Sequence, residues 1–158
     1  VDLSNTDFSE VRSLEGAILR DISGFRLRFS SGDNEPPSLV GLDLSGAYLR
    51  EVHMGSLDMR GATLVGADLT LADFRNADLR DADFSGALFD NSNLRYGDFR
   101  NANFSGVTGN WNSDGADFAG ANFSGAILHN LGNPSAMWAG IICDSDTKST
   151  GPWLPSVC

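Results

Sequence analysis

The residues of this chain that could do chemistry are few. His53 and His129 are its only imidazoles, and they lie far apart. A general base or a metal centre needs a second group within hydrogen-bond or ligand distance. Asp144-Ser145-Asp146 begins like a calcium-binding loop. Lys148, however, stands where the third ligand belongs, and the glycine of the turn is missing, so a solvated turn is the expectation. No serine lies in a nucleophile-elbow context, and no glycine-rich phosphate loop occurs. The expectation is a protein without a catalytic residue, a cofactor or a metal. The two cysteines, Cys143 and Cys158, both fall near the C-terminus. A structural metal site wants four ligands, so a Cys143–Cys158 disulfide is expected instead. Such a bridge would be worth about 3 kcal/mol for a loop of this length, and it implies an oxidising, extracytoplasmic compartment.

Charge narrows the partners. The 158 residues carry a net charge of -10, whereas phosphate backbones are bound by basic stripes, so no nucleic-acid ligand is expected. No apolar run approaches the roughly 20 residues of a transmembrane helix. The chain opens on Val1 without a Met or a signal-like stretch, so the expectation is an N-terminus that has been processed or cut, with any targeting segment out of view.

The elements that must position these residues come from a repeat. From Leu42 to Gly106 the chain reads in consecutive blocks of five, such as Ala67-Asp68-Leu69-Thr70-Leu71 and Ala82-Asp83-Phe84-Ser85-Gly86. A small residue opens most blocks, and Leu, Phe or Met holds the centre. Neither a helix, with period 3.6, nor a flat strand, with period 2, repeats at five. One short extended face followed by a corner does. The opening and central residues are two apart, so both point inward. The fifth position is often Gly or Asn, as a turn with positive φ requires.

This A-(D/N)-(L/F)-x-x pattern resembles the pentapeptide-repeat family. The resemblance implies an all-β fold: a right-handed quadrilateral parallel β-helix, a solenoid with four blocks per coil. At twenty residues per coil the central residues fall into four apolar columns. These are Leu44, Leu64, Phe84 and Phe104; Leu49, Leu69 and Phe89; Met54, Phe74 and Leu94; and Met59, Leu79 and Phe99. The resemblance also implies two roles. One is an extracytoplasmic scaffold or protein-binding module, as in secreted, periplasmic or thylakoid-lumen members. The other is an acidic DNA mimic that binds DNA gyrase. The charge disfavours the mimic: Leu42 to Gly106 holds ten acidic against six basic residues, and the rest is spread along the chain, whereas a mimic wants one uncompensated acidic face.

The ends are less regular. Residues 1–41 read as an irregular first coil, with a phase slip near Glu10 and a loop over Ser30–Pro37. Residues 42–106 are the regular solenoid, 107–115 a loop that interrupts the stack, and 116–130 the final repeats. For 131–158 the expectation is a cap and tail: a short helix opened by Pro134, with Met137 and Trp138 covering the last coil and the disulfide pinning the rest.

On the outer surface, the register puts His53 and His129 outward. It aligns Arg60, Arg80 and Arg100 beside Asp58, Asp78 and Asp98, with Arg20 as an extension. Tyr48, Leu71 and Leu88 fall where the repeat normally places polar residues. They are the candidate contact for an unknown protein partner or a homodimer.

Overall fold

Each five-residue block makes one side of a tube. In Ala67–Leu71 the opening Ala67 and central Leu69 are buried, and Asp68 between them is half-buried. The chain then turns: Ala72 N–H donates to the Leu69 carbonyl at 2.9 Å, and Leu71, the third residue of that turn, has φ +61°. Only about three residues are extended before each corner. Most sides therefore pair with the next coil through a single parallel bridge rather than a long strand. The computed structural model describes residues 1–6, 8, 11–24, 26, 28–29, 37–129 and 135–150. Among them there is no helix. The named strands are β1 (Ser92–Asn93), β2 (Thr108–Gly109), β3 (Trp111–Asn112), β4 (Ile127–Leu128) and β5 (Lys148–Ser149). β1 pairs with β3, and β2 with β4 and then β5, all in parallel.

Four ladders of bridges define four faces. The first runs Ile18, Asp43, Thr63, Asp83, Asn103, Asn122, Ile142. The second runs Ser23, Tyr48, Asp68, Leu88 to β2, β4 and β5. The third runs Arg28, His53, Asp73, Asn93, then Asn112. The fourth runs Ser13, Ser38, Asp58, Asp78, Asp98, Asp117, Met137. All four apolar columns expected from the sequence are buried. Their rings stack face on face between coils: Phe84 on Phe104 at 5.0 Å, Phe104 on Phe123 at 4.9 Å, Phe99 on Phe118 at 5.1 Å. Aromatic columns at strand spacing add dispersion and quadrupole terms to the burial.

The structure differs from the sequence reading in two places. Residues 107–115 do not leave the stack. Bridges spaced by twenty from Ser38 with Asp58 to Leu88 with Thr108 become spaced by nineteen, as in Asn103 with Asn122, so one block has lost a residue. Gly109 and Asn110 turn the corner in four residues, with Gly109 at φ +131°. The following block inverts the usual sizes: Trp111 takes the small opening position, 4% exposed, and Ser113 the large central one. The tube's width is thereby conserved, as a close-packed interior demands. Trp111 packs 5.4 Å from Phe89.

The helical cap is also corrected. Residues 135–150 are a further coil, bridged through Asp117 with Met137, Asn122 with Ile142, and β4 with β5. Trp138 stacks on Phe118 at 4.6 Å and continues the core column, whereas Met137 points outward, 53% exposed. The physical reason is that Ala136-Met137-Trp138-Ala139-Gly140 is itself a block of five, with Gly140 at φ +66°. Pro134 and Cys158 lie outside the described residues.

Candidate interaction surface

The chemistry-bearing residues stay apart. His53 and His129 are both exposed, and His129 Nδ1 lies 3.4 Å from Thr150 Oγ1. Asp144 is consumed by its own turn: Oδ1 accepts from the N–H groups of Gly125, Asp146 and Thr147 and from the Thr147 hydroxyl. Those hydrogen bonds, led by that of Gly125 and opposed by burial, hold its carboxyl below the usual range. Among the described residues no group of three His, Cys, Asp or Glu converges on a metal position. Cys143 is not a free thiol.

The fourth face carries a charge ladder. Each arginine clamps the aspartate two residues before it, with Nη2–Oδ2 distances of 2.8 Å for Arg60 and Asp58, 2.6 Å for Arg80 and Asp78, and 2.5 Å for Arg100 and Asp98. Each also approaches the aspartate of the next coil: Arg60 to Asp78 at 3.9 Å, Arg80 to Asp98 at 3.6 Å, Arg100 to Asp117 at 3.8 Å. Signs thus alternate up the face, and the repulsion of stacked aspartates is cancelled. Hydrogen bonds from the arginines, outweighing partial burial, hold the three clamped carboxyls below their ordinary range. Arg20 does not extend this ladder. It pairs with Asp43 on the first face, because the insertion before Leu39 spaces early bridges by twenty-five.

The second face is different. Tyr48 and Leu88 lie on its ladder, two coils apart with Asp68 between them. Tyr48 is 63% exposed and Leu88 half-buried. Leu71 is at the corner that follows, 47% exposed. The face thus holds two of the three residues singled out in the sequence, and its rim the third. Sequence reasoning missed a fourth: Ile127 continues the same ladder and is 40% exposed. It has the same block position as Tyr48 and Leu88, but the lost residue at Gly109 hid the alignment. Asp68 is largely silenced, accepting from the Thr70 N–H at 3.0 Å and lying 3.9 Å from Arg50.

A family model of pentapeptide repeats matches the chain in eight copies, over residues 67–106 and 112–131. A pentapeptide repeat protein of the Arabidopsis thaliana thylakoid lumen is 31% identical over 66% of this chain, with a TM-score of 0.35. This chain covers 59% of that protein's length. The pentapeptide repeat protein Rfr23 of the cyanobacterium Cyanothece is 22% identical, over 87% of this chain and 91% of its own, with a TM-score of 0.34. Full-length QnrB1, a plasmid-mediated fluoroquinolone resistance protein, is 19% identical, over 84% of this chain and 80% of its own, with a TM-score of 0.34. No curated protein sequence matches.

Proposed function

Because the chain belongs to the pentapeptide-repeat family, whose fold is a right-handed β-helix, we propose that it is a non-enzymatic, protein-binding solenoid that docks through its second face. The observation that carries this reading is that Tyr48, Leu88 and Ile127 take alternate rungs of one ladder, with Asp68 and Thr108 between them and Leu71 at its corner. Parallel coils hold these side chains at fixed spacing, so little ordering entropy is lost when a partner covers them. The partner is a protein or a second copy of this chain. The gyrase-binding alternative has less support, since the most regular acidic column is matched by arginine rather than left open to imitate a phosphate backbone. The Leu71→Lys, Leu88→Lys double variant tests the docking face. Sedimentation should show loss of the wild-type assembly, with an unaltered melting temperature because both positions are outward. An unchanged mass together with an unchanged set of co-purifying proteins would return the face to ordinary surface.

The proposed setting is extracytoplasmic, and it rests on a Cys143–Cys158 disulfide. In support, Cys143 is not a free thiol and the chain has only two cysteines. Among the described residues no helix is long and apolar enough to cross a membrane. Thiol titration of unfolded, unreduced protein is expected to find no reactive thiol. Two thiols per chain would remove both the bridge and the oxidising compartment.

A further inference from the structure

On the third face one block lacks a side chain where its neighbours carry arginine. The fourth block position there reads Gly55, Arg75, Arg95 in successive coils. Beside Gly55 lies a hollow of about 360 Å³, lined also by Arg28, His53, Ser56, Asp73, Arg75 and Asn76. Its walls come from three consecutive coils, because Arg28, His53 and Asp73 are successive rungs of one ladder. A Cβ at position 55 would stand 3.2 Å from the Arg75 carbonyl oxygen, so the glycine lets the two coils approach closely beside the hollow.

Among the described residues the charges that line the hollow do not cancel. Arg75 closes on Asp73, with Nη2 2.6 Å from Oδ2 and Nε 2.9 Å from Oδ1. Burial pushes the Asp73 carboxyl up, but the Arg75 hydrogen bonds and charge outweigh it and hold the group below its ordinary value. That pair is therefore ionised and self-neutralised. Among the described residues Arg28 has no such partner. Eight other arginines each lie within 3.9 Å of a carboxylate, whereas the exposed Arg28 has neither an ion pair nor a side-chain hydrogen bond among the described residues. It faces a hollow in which the one carboxylate among the described lining residues, Asp73, is already occupied. The His53 ring, the Ser56 hydroxyl and the Asn76 amide add donors from the ladder and the corner.

We propose that this hollow binds a small multivalent oxyanion of the phosphate type, with Arg28 supplying the charge and His53, Ser56 and Asn76 completing the donor set. A guanidinium matches the paired oxygens of such an anion. The remaining donors come from different coils and from the corner, so an anion with several acceptor oxygens can engage more of them than a carboxylate can. The chain's net negative charge does not forbid this. Charges beyond about 8 Å are largely screened at physiological ionic strength, and the aspartate column of the fourth face is matched by arginines.

The test is a titration of the full chain with inorganic phosphate, followed by backbone amide and histidine-ring NMR. Chloride and acetate at matched ionic strength run in parallel. Phosphate should shift the Gly55, Ser56 and Asn76 amides and the His53 ring along one saturable curve, with much smaller chloride and acetate responses. Arg28→Gln should weaken phosphate binding about tenfold, the loss of one charge-assisted contact. Gly55→Leu, which fills the hollow, should abolish it. Arg28 is exposed and outside the core, so its variant remains informative if Gly55→Leu disturbs the coil. Equal responses to phosphate and chloride, unchanged binding by Arg28→Gln, or acetate saturating as tightly as phosphate would each overturn the proposal.

Discussion

Leu79→Arg should abolish cooperative unfolding of the solenoid and leave the chain open to proteolysis. Leu79 is completely buried, in a column that runs through Met59, Leu79, Phe99 and Phe118. Its side chain points to the axis of a tube whose interior is shared by only one large and one small residue per side. An arginine there has no carboxylate within the core and no path to water between coils that are hydrogen-bonded above and below: Leu79 N–H donates to the Asp98 carbonyl and Asp78 N–H to that of Leu57. Leaving a buried charge uncompensated costs about 3–5 kcal/mol, and roughly 2 kcal/mol of leucine burial is lost as well. A domain stable by about 5–15 kcal/mol has little left after that. Leu79→Met, which keeps the volume, should cost less than about 1.5 kcal/mol. Circular-dichroism melting and limited proteolysis of both variants check this. If Leu79→Arg melted close to the wild type, the side chain would not lie on the axis and the whole register would fail.

Gly109→Ala should be the most damaging glycine-to-alanine substitution among the described residues, at about 2–5 kcal/mol. Two costs combine. The residue is at φ +131°, a region that residues with a Cβ rarely occupy. An added Cβ would also lie 2.8 Å from the Phe89 carbonyl carbon and 2.9 Å from the Asp90 nitrogen. These are backbone atoms of the preceding coil and cannot swing aside, so the coils must separate. Gly66→Ala is the control. Gly66 also has positive φ, +65°, but nothing stands within 4 Å of its added Cβ, so only the conformational cost of about 1–2 kcal/mol applies. The difference between the two melting temperatures measures the contact between coils. Equal effects would mean that the shortened corner is loose rather than packed.

The sequence determined the block. A small residue and a large one two apart, followed by a turn-forming pair, is local information, and it placed Leu64, Phe84 and Phe104 in one column and Asp58, Asp78 and Asp98 in another. It also marked Tyr48, Leu71 and Leu88 as apolar residues in outward positions. What it could not determine was the count of residues between coils. Which residue bridges which depends on every residue in the intervening coil, and a corner can absorb one more or one fewer at little local cost. So the insertion before Leu39 moved Arg20 to another face, the loss at Gly109 hid Ile127, and a block reading Ala136-Met137-Trp138-Ala139-Gly140 passed for a helix. The exchange of Trp111 and Ser113 was hidden for a related reason. The volume that must be filled belongs to the whole width of the tube, and no single side of it records how the others have filled their share.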